Sequence, residues 1–308
     1  MSQTLAHGTP IQNRWGALGG HTGSMVAPPE KITAFVFGLP GEGKSALLQS
    51  HPDAFIFNLD TSSTTTPNPR ATMFPGISSV SGQLLDDAGS PISFGYDHVR
   101  AKEDILFQLA ASNSPRPSTV VYDSLSAWLA LLVQWIPPNA VKLGIASEPK
   151  TDWKQLHGPA AWDTLYSIIT TTITKLKAAG YGVYVVGHVV NAKIPLEENR
   201  FIVKPELTIT DGFWKRLYYL FELSALVFAE KASESYEDVQ YSMLNGVKKE
   251  QRIKRTREVK RHYLTVAKLE LEGLAKSRVK LPERIELPLD TGWTSFRDAY
   301  TAGIKPAS

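Results

Sequence analysis

The chain has 308 residues, 43% of them apolar and 20% charged, which is enough apolar material for a sizeable core. It contains no cysteine, and this excludes disulfides, thiolate metal sites and cysteine nucleophiles together. The net charge of +3 is unevenly placed: Lys248–Arg261 holds eight Lys/Arg against Glu250 and Glu258, a local +6 that leaves −3 for the remainder. A basic segment on a nearly neutral body points to a localised polyanion contact, or else to a solvated charged helix.

The length favours one α/β domain with appendages. Residues 1–30 are rich in Gly, Ser, Thr, Pro and Gln without an apolar period, and read as a flexible arm. They show no basic stretch followed by an apolar core, so no secretory leader is expected. The most apolar stretch, Thr119 to Ile136, is interrupted by Asp123 and reads as a buried strand running into a helix. An intracellular, cytoplasmic protein without a membrane partner is the natural expectation.

From Ile32 onward strand and helix patterns alternate, which predicts a mostly parallel central sheet flanked by helices. The first strand is Ile32–Phe37, followed by a helix from about Gly43 to Gln49. A second strand, Ala54–Leu59, ends at Asp60, and an exposed Ser/Thr/Pro-rich loop runs from Thr61 to about Gly76. Lys102–Ala111 reads as a short helix, and Thr119–Asp123 as a strand after the break at Pro115 and Pro117. Pro159–Ala179 spaces Trp162, Leu165, Ile169, Ile173 and Leu176 as one helical face, with Gly180 as the stop. Gly182–Val186 is a strand ending at His188, and residues 189–210 read as a long mixed-charge loop carrying Lys193, Arg200 and Lys204. Leu223–Ala229 and Tyr263–Lys268 are later strands with the basic segment between them. Trp128, Trp135 and Trp162 read as core, and Trp153, in a polar stretch, as exposed.

Gly38-Leu39-Pro40-Gly41-Glu42-Gly43-Lys44-Ser45 matches G-x-x-x-x-G-K-[ST] between a strand and a helix, the context that a phosphate loop requires. Its glycines let successive N–H groups turn toward phosphate oxygens, and the helix start adds positive dipole. Gly38, Pro40, Gly41, Glu42, Gly43, Lys44, Ser45 and Ala46 are the expected nucleotide contacts, with Lys44 on the β/γ-phosphates and Ser45 on Mg²⁺. Asp123 closes an apolar strand, where a carboxylate either holds the metal beside Ser45 or starts an ordinary turn. Asp60 also ends a strand, and either orients an attacking water as a base or caps the turn at Thr61. His188, at a third strand end, either senses the γ-phosphate or is satisfied by neighbouring backbone. Lys248, Lys249, Arg252, Lys254, Arg255 and Arg257 supply the charge to neutralise nucleic-acid phosphates.

The order of these pieces resembles the RecA-like P-loop ATPases, and most closely the phage-encoded AAA-type proteins of single-strand annealing recombination. The resemblance spans about residues 31–300 and rests on Gly38–Ser45, Asn58–Asp60, Val120–Ser124, Val185–His188 and the Lys276-Ser277-Arg278 element. It implies a RecA-like core at 31–300 with a basic insertion at about 231–262, a C-terminal β-rich extension, and a short tail at 301–308. It also implies an ATPase that uses ATP and Mg²⁺ and acts on single-stranded DNA in recombination, repair or replication, with a phage single-strand-binding protein as a further expected partner. In this resemblance Asp60 stands where the family has a Glu base, and His188 where it has a polar γ-phosphate sensor. Lys193, Arg200 and Lys204 lie where RecA proteins carry a DNA-binding loop. Lys276 and Arg278 would reach a neighbour's γ-phosphate, which requires a ring or filament with shared active sites. Two alternatives stand beside this: a hexameric helicase or helicase loader, and a nucleotide-gated DNA-binding or assembly protein with negligible turnover.

Overall fold

Strands buried on both faces read as near-continuous apolar runs, and Ile32–Phe37 and Thr119–Tyr122 have that character, each carrying a single threonine. A computed structural model describes residues 26–60, 71–78, 81–156, 158–195, 201–244, 247–266 and 274–304. In it β1 (Thr33–Gly38) leads to α1 (Lys44–Gln49) and β2 (Ala54–Asn58), followed by β3 (Thr72–Phe74). A small antiparallel pair, β4 (Gly76–Ile77) and β5 (Leu84–Leu85), precedes α2 (Tyr96–Ala111) and β6 (Thr119–Asp123). Then come α3 (Leu125–Trp135), α4 (Pro159–Ala178), β7 (Gly182–Pro195), β8 (Phe201–Leu207) and α5 (Asp211–Tyr218). The last elements are β9 (Leu223–Leu244), β10 (Val247–Thr265), β11 (Lys276–Ser277), β12 (Ile285–Glu286) and α6 (Gly292–Ile304).

The main sheet has the order β12-β10-β9-β1-β7-β6-β2-β3. Neighbours from β9 to β3 are parallel, whereas β10 and β12 add antiparallel edges. This is the expected α/β class, a mostly parallel sheet flanked by helices with a β-rich C-terminal part. Side chains alternate between two cores, as a period of two dictates. Phe35, Phe37, Val120, Tyr122, Val183 and Val185 face α2 to α5, while Ala34, Val36, Val121, Tyr184 and Val186 face α1 and α6. Leu165, Ile169, Ile173 and Leu176 form the buried face of α4.

The chain leaves β1 past β7 and β6 to reach β2, but crosses in the other direction from β7 past β1 to β9. The crevice beyond the carboxyl ends of β1 and β7 is therefore the switch point of the sheet, where ligands bind in such folds. Tyr122 fixes the neighbouring β6: its ring stacks on Trp128 at 3.9 Å and on Phe57 at 4.8 Å. The Tyr122 hydroxyl donates to the buried Glu103 carboxylate at 2.8 Å, and burial pushes Glu103 up to about 7.

Several expectations are corrected. Residues 189–195 and 201–207 form the β7–β8 hairpin rather than a loop, because Val189, Val190, Ile194, Ile202 and Val203 supply strand residues among the charges. The basic segment is a strand, β10, paired with β9 over its whole length and not a solvated helix. The stretch after Asp60 contains β3, a further parallel strand beside β2, within what reads as loop; residues 61–70 lie outside the described residues. The second helix starts at Tyr96, earlier than Lys102, and α6 continues to Ile304, so that 301–304 are helical rather than tail. Residues 26–30 belong to the body: Val26 and Ala27 pack on the second core, and Tyr184 Oη donates to the Pro29 carbonyl at 2.7 Å. Trp162 is half-exposed, and Trp153, partly buried, packs edge-on against it at 5.1 Å. The rest of the expected arm, residues 1–25, lies outside the described residues, as do 305–308. Among the described residues no helix is long and apolar enough to cross a membrane.

Candidate functional site

The loop between β1 and α1 turns back on itself through Gly41 at φ 75° and Gly43 at φ 94°, a region open to glycine and strained for other residues. Gly38 is excluded from change by space, since a Cβ there would lie 2.1 Å from the Val227 carbonyl oxygen of β9. Lys44 is only 4% exposed, and its ammonium donates to the carbonyls of Gly38 at 3.0 Å and Leu39 at 2.7 Å. Burial lowers its pKa, opposed by the charges of Asp123, Glu42 and Asp60. The ammonium is thus held at the loop by bonds that an anionic ligand can replace.

Beneath the loop, Ser45 Oγ donates to Asp123 Oδ2 at 2.6 Å. Asp123 is buried, and its second carboxylate oxygen has no hydrogen-bond partner. Burial first, and then the Asp60 charge, raise the Asp123 carboxyl to about 6 against the pull of Ser45, His188 and Lys44. An unpartnered buried carboxylate oxygen beside a hydroxyl is an environment that a hard divalent cation relieves. The residues present therefore fit Mg²⁺, which Ser45 and Asp123 would hold.

Asp60 follows β2, and its N–H donates to the Asp123 carbonyl at 3.2 Å, next to that of Leu59 at 2.7 Å. Its carboxylate lies 3.5 Å from His188 Nε2, so side chains join the ends of β2 and β7, and the Asp123 carbonyl ties in β6. Thr208 fixes the backbone at His188, donating to its carbonyl from N at 3.1 Å and from Oγ1 at 3.2 Å. Lys44, Ser45, Asp60, Asp123 and His188 thus converge at one carboxyl edge of the sheet.

Lys276 and Arg278 do not join them. β11 pairs Lys276 with Ser224 at the start of β9, level with the amino-terminal half of β1, so the pair sits toward the opposite edge. The Lys276 ammonium donates to the Tyr218 carbonyl and lies 3.9 Å above the Tyr218 ring. Arg278 pairs at 3.0 Å with Glu222, a buried carboxylate that also accepts from Thr33 N at 2.9 Å and lies 2.9 Å from Lys177 Nζ.

Of the polyanion candidates, Arg252, Lys254, Arg255 and Arg257 are exposed on β10, but acids of β9 face three of them. Arg257 pairs with Glu234 at 2.9 Å, Arg255 with Asp238 at 3.0 Å and Arg252 with Glu237 at 3.7 Å. Lys248 and Lys249 lie on β10, and Lys193 and Lys204 on the β7–β8 hairpin, at positions whose side chains are outside the described residues; Arg200 is outside them entirely.

Sequence reasoning missed Lys260 and His262 of β10, which reach the phosphate loop. Lys260 Nζ donates to the Gly41 carbonyl at 2.9 Å and lies 3.5 Å from the Glu42 carboxylate. His262 Nδ1 is 2.8 Å from the Glu42 carbonyl. Their only sequence signal was a place in, or immediately after, a basic run more than 200 residues away.

A family model described as an AAA domain matches residues 30–269. The chain belongs to that family. Its members are P-loop ATPases, in keeping with the loop, the buried lysine and the strand-end acid. Among solved structures, this AAA domain is similar to a KaiC-like protein from the hyperthermophilic archaeon Pyrococcus horikoshii OT3. The identity is 10% and the TM-score 0.33, over 86% of this chain and 89% of that one. No curated protein matches.

Proposed function

We propose that this AAA domain binds and hydrolyses Mg-ATP and couples the cycle to single-stranded DNA in phage recombination, repair or replication. The observation that carries the nucleotide half is the Ser45–Asp123 pair at 2.6 Å, with a partnerless buried Asp123 oxygen beneath a lysine-bearing loop. The backbone N–H groups of Gly41–Ser45 and the Lys44 ammonium bind and orient the phosphates. Ser45 and Asp123 hold Mg²⁺, which supplies charge neutralisation at the phosphates. Asp60 faces the crevice from the next strand end, where a carboxylate can orient water and accept its proton. His188 holds Asp60 and lies where a γ-phosphate contact can be passed on to the β7–β8 hairpin.

DNA contact is supported by the exposed β9–β10 hairpin, in which β10 nets +6 and β9 nets −3, leaving +3. Because acids already face three of the arginines, each phosphate contact exchanges one ion pair for another and gains less than a bare cation would. ATP turnover is expected to rise with single-stranded DNA and to fall with added salt. Replacing Arg252, Lys254, Arg255 and Arg257 by serine should flatten the slope of log affinity against log salt by roughly one to three. An unchanged slope in a filter-binding series would remove the hairpin from the DNA surface, and an absence of DNA binding would sink the recombination reading.

Lys276 and Arg278, lying away from this chain's own loop, support a head-to-tail assembly in which they approach a neighbour's site. The double alanine variant is expected to lose turnover while keeping nucleotide affinity within about threefold, since a finger acts on the transition state. Equal loss of both would assign the pair to the Tyr218 and Glu222 contacts instead. A second reading, nucleotide-gated assembly with negligible turnover, is favoured by one observation: the Asp60 carboxylate is already engaged by His188 at 3.5 Å. Assembly with ATP but no phosphate release, even with saturating DNA, would select it.

A further inference from the structure

The phosphate loop is held from outside by a strand that no part of the nucleotide motif includes. A loop that directs its N–H groups at phosphates turns carbonyls outward, and outward carbonyls need donors. β10 supplies two. Lys260 Nζ donates to the Gly41 carbonyl at 2.9 Å and faces the Glu42 carboxylate at 3.5 Å. His262 Nδ1 meets the Glu42 carbonyl at 2.8 Å, and because a carbonyl only accepts, this nitrogen carries the proton.

The approach is built into both partners. A Cβ on Gly43 would lie 2.7 Å from His262 Nδ1, so glycine at that position opens the space for the imidazole as well as permitting the turn. The platform is rigid, because β10 runs between β9 and β12 at this level. His262 pairs with Ala229 on one side, and its carbonyl accepts from Leu287 N at 2.7 Å on the other. Arg261 pairs with Glu286 at 3.7 Å and Arg284 with Glu230 at 3.4 Å across the same strands. Leu264 is buried in the second core with Leu47 and Leu48 of α1, so strand and loop-helix share one packing unit.

We propose that Lys260 and His262 are positioning residues for the nucleotide site: they hold the outer carbonyls of Gly41 and Glu42 so that the loop is preshaped for phosphate. This rests on the reading of Gly38–Ser45 as that site. Neither residue touches phosphate; each acts through the loop, by lowering what nucleotide binding spends on ordering it. The same strand carries Arg252 to Arg257, so the hairpin base and the polyanion surface are one continuous element.

The test is binding of a fluorescent ATP analogue with Mg²⁺, together with nucleotide-free melting temperature and steady-state hydrolysis. Wild type, Lys44→Ala, Lys260→Ala, Lys260→Arg, His262→Phe, His262→Asn and His262→Gln are compared. Lys260→Ala and His262→Phe should each weaken binding about tenfold, as the loss of one or two ordering hydrogen bonds implies. Lys260→Arg should recover to within about threefold, having a donor of similar reach. His262→Asn should also recover, because its amide nitrogen lies near the Nδ1 position, whereas His262→Gln, whose amide lies near Nε2, should not. A merely structural role would lower the melting temperature of Asn and Gln variants alike and would not separate them in affinity. Wild-type affinity in Lys260→Ala and His262→Phe, with Lys44→Ala defective, overturns the proposal and leaves the nucleotide site standing. Failure of wild type itself to bind overturns both. Should His262→Phe not fold, the Asn and Gln pair still decides: equal affinities overturn the proposal, and rescue by Asn alone supports it.

Discussion

Lys44→Met is expected to lose at least about a hundredfold in ATP turnover while remaining folded. The two halves of this result have different causes. The ammonium is the one cation inside the loop, and removing a preorganised charge from a transferring phosphoryl group typically costs two to three orders of magnitude. Yet in the nucleotide-free protein the same ammonium is buried and its pKa is lowered by that burial. Its desolvation partly offsets the two carbonyl bonds it makes at 2.7 and 3.0 Å and its attraction to Asp123, so an apolar side chain of similar length should lower the unfolding free energy by about 1–2 kcal/mol. Urea melts and phosphate release on the same samples check both halves. A large stability loss with turnover retained would make Lys44 a structural lysine.

Asp123→Asn is expected to raise the stability of the nucleotide-free protein and abolish its response to Mg²⁺. The sign follows from the carboxyl being raised from its usual value to about 6. A raised acid binds a proton more tightly in the folded chain, so its contribution is favourable below about pH 4 and is lost as pH rises through about 6. Above that, the folded protein carries a buried anion, and the neutral amide relieves it. Allowing for the attraction that Lys44 loses, the gain at pH 8 is about 2 kcal/mol, and it should vanish near pH 4. Ser45 keeps an acceptor in the amide oxygen, so packing is little disturbed. Melting temperatures at pH 4 and pH 8 without metal give the answer, and a less stable variant at pH 8 would contradict the burial argument.

Much of the site was legible because its signals are local. Gly38–Ser45 announces itself by spacing, and Asp60, Asp123 and His188 by ending apolar runs that must be buried strands. A parallel sheet then brings strand ends to one edge whatever the loops between them do, which is why three residues far apart in sequence meet. What was not legible depends on pairing between distant segments. The basic run of β10 looks like a bare polyanion surface until Glu234, Glu237 and Asp238 of β9 are placed opposite it. The stretch at 189–210 reads as loop because strand residues are mixed with charges there, and only the hairpin register of 189–195 with 201–207 shows their pattern. Lys260 and His262 meet the phosphate loop through a β9–β10–β12 arrangement that no local period encodes. Glu222, which gathers Thr33, Lys177 and Arg278 toward the amino edge of the sheet, was likewise invisible as a single acid at a strand start.

In the proposed reading, Ser45 and Asp123 complete a Mg-nucleotide site under the loop at Gly38–Ser45. Calorimetric titration of ATP into wild type and Asp123→Asn, each with Mg²⁺ and with EDTA, tests it most directly. Mg²⁺ is expected to tighten ATP binding to wild type by at least about tenfold, as removal of a metal ligand from a charged site implies, and to do nothing for the variant. Equal Mg²⁺ dependence in the two proteins, or no ATP binding by wild type, would contradict that reading.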